Sequence, residues 1–448
     1  NMSTKKNITI LGSGLVGSLL SIYLVRRGYQ VTVYERRPDM RKEKIVAGRS
    51  INLALSDRGW RGLEGVGIAE DIRRIGIPMH SRMMHSVNGT LTAQRYGEGD
   101  QAIYATSRGI LNCEMMNLAE RSGVKIHFNH RCTHVDLERK RADFETASGE
   151  KLSVNSDLIF GSDGAFSAAR LAMQLSTDRF QYSQQYLAHS YKELLIPGTE
   201  DGGFRMEKNC LHIWPRGGYM MIALPNLDGS FTCTLFFPVH GDPSFASLDT
   251  REKVRAFFEE VFPDAVPLMP TLEDDFFGNP TGSLVTVKCF PWAYKDHTCL
   301  IGDAAHAIVP FYGQGMNCGF EDCTVLNALL DEHKDDWSKV IPAFEKSRKP
   351  NADAIADLAQ MNFIEMRDRV GQPSFLLQKK IEARIHERHP EKWLPLYSQV
   401  TFSDIPYSDA LANGLRQEEV MRKVMSLPAI EQKWDSPEVE QLILELIG

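Results

Sequence analysis

None of the eight cysteines (113, 132, 210, 233, 289, 299, 318 and 323) forms a CxxC pair, and their scatter lacks the ligand pattern of a zinc site. Isolated thiols fit a reducing cytoplasm and exclude a disulfide framework. Long apolar runs are also missing. No stretch reaches the roughly 18 residues that a spanning helix needs, so a soluble protein is expected. The first apolar run, Ile8 to Leu11, enters a glycine loop after four residues, far short of a secretory core. Positive charge is in deficit, with 51 Lys and Arg against 58 Asp and Glu and a net charge of −7. That balance argues against a nucleic-acid partner. The basic cluster from Arg36 to Lys44 reads as a solvated loop after a strand. Neither repeats nor low-complexity tracts occur. What remains, 43% hydrophobic and 24% charged over 448 residues, suits a globular protein of two or three domains.

His127, His130, Cys132 and His134 fall close together. Their alternation suits a strand with polar residues on its open face better than a metal site, and no metal is expected.

The N-terminus is more specific. Residues 7–11 (NITIL) read as a buried strand, followed by Gly12-Ser-Gly14-Leu-Val-Gly17 and a helix with Leu15, Leu19, Ile22 and Tyr23 at helical spacing. Gly28 fits the end of that helix, and a second strand, Gln30–Glu35, ends in a carboxylate. Gly12 permits the tight turn, Gly14 lets backbone approach a pyrophosphate, and Gly17 allows close helix–strand packing. The helix N-terminus offers free N–H groups to phosphates. Glu35, 18 residues beyond Gly17, is placed to accept from ribose hydroxyls. The order strand, glycine loop, helix, strand, acid points to a bound dinucleotide. It does not separate FAD from NAD.

Two later segments bear on that choice. One is the strand-like Asp157-Leu-Ile-Phe leading into Gly161-Ser-Asp163-Gly164; the other is Thr298-Cys-Leu-Ile leading into Gly302-Asp303-Ala-Ala-His306. The second continues as Pro310-Phe-Tyr-Gly313-Gln-Gly315-Met316-Asn-Cys-Gly319. Together with the N-terminal loop they resemble the class A FAD-dependent aromatic hydroxylases of the p-hydroxybenzoate hydroxylase type. The resemblance implies that Asp163 lies where flavin and pyridine nucleotide meet and that Asp303 binds the ribityl chain. It further implies that the backbone of Gly313, Gly315 and Met316 faces the flavin pyrimidine edge, and that Arg108 starts a helix beside the FAD phosphates. A helix N-terminus there would stabilise the negative charge of reduced flavin. No second complete GxGxxG occurs, so NADPH is expected to act as a transient co-substrate without a domain of its own.

Further stretches resemble the kynurenine-hydroxylating branch of that family: Ser50–Gly59, Pro78–Met84, Leu211-His-Ile-Trp-Pro-Arg216, Val309–Asp322 and Leu396–Ser403. The implied substrate is L-kynurenine, a zwitterion carrying an aniline ring. It needs a cation for its carboxylate and an apolar slot for its ring. By resemblance Arg82 is the carboxylate clamp, with Tyr96, Asn362 and Tyr397 completing the polar end. Tyr191, Leu211, Leu224, Phe236 and Phe311 then line the slot. Tyr312 departs from the branch, whose members carry phenylalanine or histidine there. The C-terminal membrane anchor of the animal and fungal enzymes is not seen.

The implied chemistry runs through a C4a-hydroperoxyflavin that passes its distal oxygen to the ring, ortho to the aniline nitrogen, with no obligatory side-chain acid or base. His306 is read as a packed histidine. The expected architecture is mixed α/β. A Rossmann-like FAD domain (1–75, 98–175, 285–365) interleaves with a sheet-rich substrate domain (76–97, 176–284), and a helical region (366–448) follows. Runs at 219–224 and 230–237 are expected strands. A cytoplasmic enzyme follows from this reading, and a homodimer is left open. So are a hydroxylase for another aromatic, a catalytically silent flavin sensor, and a plain NAD dehydrogenase.

Overall fold

A computed structural model describes residues 5–43 and 51–448; Lys44 and Ser50, named above, lie outside the described residues. The nucleotide-loop strand Asn7–Leu11 sits inside a six-stranded sheet. Its order is Ala293–Tyr294, Thr298–Leu300, Leu158–Gly161, Asn7–Leu11, Gln30–Tyr34, Lys125–His127. All neighbours are parallel except the outermost pair, Ala293–Tyr294 with Thr298–Leu300. The chain runs outward from Asn7–Leu11 on one side, then returns to build outward from Leu158–Gly161 on the other. The switch point, where such sheets bind ligands, therefore lies between those two strands. Leu15–Arg26 is buried on nearly every side because it packs against both Arg108–Arg121 and Gln314–Glu332. Gly28 ends it at φ 94°, its N–H bonded to the Val25 carbonyl, a left-handed stop that glycine adopts freely.

A seven-stranded sheet follows the order Thr281–Phe290, Gln181–Ile196, Phe231–Pro238, Met220–Pro225, Cys210–Pro215, Ser81–His85, Leu91–Arg95. The strands expected at 219–224 and 230–237 are thus present, each displaced by one residue. Period-two alternation gives this sheet two apolar faces. Leu211, Ile213, Met220, Leu224 and Phe236 join one cluster with Phe311 and Phe363. Trp214, Met221, Ala223, Leu235 and Phe237 join another, with Val254 and Phe258 of helix Arg251–Val261. The first face looks into the candidate site, and the second holds the sheet to its helical layer.

Two expectations need correction. The His127–His134 stretch is not one strand: Asn129, at φ 59°, turns the chain between Lys125–His127 and His130–Asp136. The second piece belongs to a separate three-stranded sheet. The histidine rings serve packing, with His127 stacked on Tyr34 at 5.0 Å. The cluster beginning at Arg36 is not wholly solvated either, since Arg41 is ion-paired to both Asp39 and Glu120.

The C-terminal third is helical. Trp337–Ile364 passes through Pro342 and Pro350 and loosens into a π turn over Glu365–Arg369. Pro373–Arg388, Leu396–Thr401, Tyr407–Met425 and Pro437–Ile447 follow. Among the described residues no helix is long and apolar enough to cross a membrane.

Candidate active site

At the switch point the three glycines behave as their spacing predicts. Gly12 holds φ 95°, and a Cβ there would lie 2.6 Å from the Ser162 carbonyl oxygen. A Cβ on Gly17 would strike the Gly12 carbonyl oxygen and the Ser162 hydroxyl. On Gly14 it would meet nothing within 4 Å, so this glycine faces open space at the N-terminus of Leu15–Arg26. Such a cradle fits a pyrophosphate. Glu35 is buried beside it, accepting from the Ser13 backbone N–H at 3.2 Å and the Arg37 N–H at 2.8 Å. Arg108 is exposed at the first position of Arg108–Arg121, its own N–H bonded to the Ile51 carbonyl.

The DG and GD turns close the crevice from the other side. Asp163 caps the following helix, accepting from the Ser167 hydroxyl at 2.5 Å and the Ala168 N–H at 2.8 Å. Burial pushes its carboxyl above the usual range, against those hydrogen bonds. Its carboxylate is thus committed to local structure. Asp303 is half-buried, and its carboxylate has no hydrogen-bond partner among the described residues. Gly313 (φ 64°) starts the helix Gln314–Glu332, and a Cβ on Gly315 would come no nearer than 3.8 Å to any neighbour. That leaves the first turn of the helix accessible to a flat ring. The buried Gln314 and Asn317 side chains anchor this turn. Asn317 accepts from the Ser56 N–H at 2.9 Å and donates to the Ala54 carbonyl at 2.9 Å. Gln314 donates to the Ser56 hydroxyl at 3.2 Å and accepts from the Tyr407 hydroxyl at 2.6 Å.

His306 is packed, as expected. Its Nε2 lies 2.5 Å from Asp322, which also accepts from Arg348 at 2.8 Å and from the Gly302 N–H at 3.2 Å. Burial disfavours charge on this imidazole, but the Asp322 carboxylate outweighs it and holds the pKa well above the usual range. The pair thus braces the GD turn from behind.

On the slot side of the seven-stranded sheet, Arg82 is paired in register with Leu211 on one neighbour and Gln94 on the other. It is only 9% exposed, its Nε has no partner among the described residues, and its guanidinium lies 5.9 Å from the Tyr96 ring centre. Tyr96 stacks on Tyr397 at 5.1 Å, and Tyr397 on Tyr312 at 5.7 Å. Burial pushes the Tyr397 hydroxyl up to about 12 against the opposing Arg82 charge, and raises Tyr96 and Tyr312 for the same reason. All three phenols are therefore neutral O–H groups at physiological pH. Phe311 meets Phe236 edge-on at 4.9 Å, and Tyr191 lies 6.4 Å from Phe236. Burial raises the Tyr191 hydroxyl against the opposing Arg108 charge. Asn362 is buried, not a helix-surface amide, and its amide nitrogen donates to the Phe311 carbonyl.

Every residue expected at the substrate site thus reaches one region. Sequence reasoning missed Phe363, stacked on Phe311 at 4.3 Å, and the anchoring pair Gln314 and Asn317. Phe363 adjoins Asn362 in sequence, which was the available signal. Tyr312 was singled out only as a departure, and it lies in the tyrosine stack.

A dinucleotide crevice, a helix N-terminus open to a flat ring and an aromatic slot ending in a buried guanidinium describe a flavin-dependent aromatic hydroxylase. A family model described as an FAD binding domain matches residues 5–227 and 286–359. Kynurenine 3-monooxygenase of Flavobacterium johnsoniae is 53% identical over 447 residues, covering all of both chains. The enzyme of that name from Dictyostelium discoideum is 45% identical, covering 94% of this chain and 93% of its own. The chain belongs to the kynurenine 3-monooxygenase family. Among solved structures, 2-methyl-3-hydroxypyridine-5-carboxylic acid oxygenase shares the fold, with a TM-score of 0.66 at 20% identity over 84% of this chain and 96% of its own. The tetracycline destructase Tet(51) has a TM-score of 0.60 at 16% identity, covering 85% and 96%.

Proposed function

We propose that this protein is an FAD-dependent monooxygenase that converts L-kynurenine to 3-hydroxykynurenine with NADPH and O2. The observation that carries the reading is Arg82: a buried guanidinium without a carboxylate partner among the described residues, at the polar end of an aromatic slot. Full-length likeness to the named relatives supports it. Gly12, Gly14, Gly17, Glu35 and Arg108 would hold the dinucleotide, with Asp303, Gly313, Gly315 and Met316 along the flavin. Asp163 would shape the turn between them. When bound, FAD supplies the reduction by NADPH and the activation of O2.

The side chains of this protein bind and orient. Arg82 takes the substrate carboxylate in a two-pronged contact, and the neutral Tyr96 and Tyr397 hydroxyls donate beside it. Tyr191, Leu211, Leu224, Phe236 and Phe311 hold the aniline ring and exclude water. The substrate's own amino group makes its ring nucleophilic, so no side-chain base is needed. We further propose the three-part division given above, with a FAD domain, a sheet-rich substrate domain and a C-terminal helical region from residue 366. The proposed setting is a reducing cytoplasm, supported by eight free cysteines.

The test is NADPH oxidation by the purified yellow protein with and without L-kynurenine, with the product weighed by mass spectrometry. Strong stimulation with gain of one oxygen atom is expected. Stimulation without product would leave the substrate assignment wrong while keeping ligand-triggered flavin reduction. No stimulation would overturn the assignment outright.

A further inference from the structure

The motif Leu211-His-Ile-Trp-Pro-Arg216 is only half used by the slot. Leu211 and Ile213 face it, but His212 and Trp214 project to the opposite face of the sheet, where they meet His85 of the Arg82 strand. A hydrogen-bonded chain runs there. His212 Nε2 lies 2.8 Å from the Glu207 carbonyl oxygen, and His212 Nδ1 lies 2.8 Å from His85 Nε2. His85 Nδ1 then lies 2.6 Å from Asp264, whose other oxygen accepts from the Trp214 indole N–H at 2.9 Å. His85 also stacks on Trp214 at 4.1 Å, and Arg216 donates to the His85 carbonyl at 2.9 Å.

Proton counting constrains this chain. A backbone carbonyl only accepts, so His212 Nε2 must carry a hydrogen. An ionised carboxylate only accepts, so His85 Nδ1 must carry one too. Burial opposes ionisation of Asp264, but the hydrogen bonds from His85 and Trp214 outweigh it and hold the carboxyl below its usual range. One hydrogen must still lie between His85 Nε2 and His212 Nδ1, or two lone pairs would face each other at 2.8 Å. The two rings are therefore joined by a hydrogen bond between His85 Nε2 and His212 Nδ1. Burial pushes His212 down to about 4, and it is the His85 ring that lies against Asp264. The charged and titratable groups around His85 are Asp264 on the segment after helix Arg251–Val261, His212 on the neighbouring strand, and Arg216 through the His85 carbonyl.

We propose that His85, bonded to both Asp264 and His212, is a positioning residue that locks the Arg82 strand in register for L-kynurenine binding. His85 lies three residues from Arg82, and Arg82 and Met83 pair with Leu211 and His212. Loss of either bond frees the end of the strand that presents the guanidinium. This inference rests on the substrate reading above.

The test uses the FAD-loaded protein in two measurements. Nitrogen-15 NMR of histidine-labelled wild type reads the hydrogen bonds without any substrate, and should show coupling across the His85–His212 bond. Kinetics then follow KM and kcat for L-kynurenine. In Asp264→Asn and His85→Phe, KM should rise by about tenfold for one lost charge-assisted bond, while kcat at saturation holds. Absence of the His85–His212 coupling overturns the proposal even if a variant fails to fold. An unchanged KM in a folded variant overturns it as well. Failure of wild type to turn over L-kynurenine strikes the substrate reading instead, leaving the NMR result to decide the His85–His212 bond.

Discussion

Replacing Arg82 by methionine should make the empty protein more stable and its substrate binding much weaker. The guanidinium is 9% exposed, its Nε is unpartnered, and no carboxylate pairs with it among the described residues. A buried polar group left in this state costs about 1–3 kcal/mol, and a buried charge without a partner costs more. The contact with the Tyr96 ring at 5.9 Å returns about 0.5–2 kcal/mol. Methionine fills similar volume and adapts to irregular space. The net gain should be about 1–2 kcal/mol, which raises Tm by about 1–2 °C for a chain of this length. The same change removes two charge-assisted bonds to the substrate carboxylate, worth about 1.5–3 kcal/mol each. Affinity should fall by at least a hundredfold. Thermal melts with and without L-kynurenine read both terms. Ligand at 100 times the wild-type Kd should stabilise wild type by about 2.7 kcal/mol and Arg82→Met by no more than about 0.4 kcal/mol. The reasoning fails if the variant melts below wild type without ligand, or if L-kynurenine raises its Tm as much as that of wild type.

Gly17→Ala should yield a colourless protein that does not retain added FAD, because the new Cβ meets the Gly12 carbonyl oxygen and the Ser162 hydroxyl; absorbance after desalting reads this. Tyr397→Ala removes stacks on both Tyr96 and Tyr312, each worth about 0.5–1.5 kcal/mol, and should raise KM for L-kynurenine roughly tenfold. Glu193 carries a carboxyl pushed up to about 8 by burial, against a bond from Thr234, and its Oε1 is unpartnered. Its folded pKa exceeds the unfolded one, so its contribution to stability is highest in acid and is lost as pH rises toward 8. Glu193→Gln should therefore raise Tm at pH 8 and change it little at pH 4, as melts at the two pH values will show.

The nucleotide-binding half was legible because its determinants are local. Gly12, Gly14 and Gly17 each answer a constraint set within a few residues of backbone, and the strand, helix and acid around them follow in order. The DG and GD turns have the same character, although the Asp163 carboxylate is used for capping a helix, which a short motif does not disclose. The misread His127–His134 stretch shows the limit from the other direction. Alternation is blind to a turn in the left-handed region at Asn129, which assigns the two halves to different sheets.

The substrate half depends on convergence. Arg82, Leu211, Phe311, Asn362 and Tyr397 come from five separate segments, and unaided each looks like an ordinary strand, core or helix residue. Only the resemblance grouped them. A sheet with two apolar faces adds a second obstacle. Leu211 and His212 are adjacent in sequence yet serve opposite faces, one lining the slot and the other bolting the Arg82 strand to its neighbour through His85. A motif of this kind reports two selective demands at once, substrate fit and strand register, and only the side-chain geometry separates them. The proposed clamp for the substrate and the proposed bolt that fixes it are therefore written on opposite faces of the same strands.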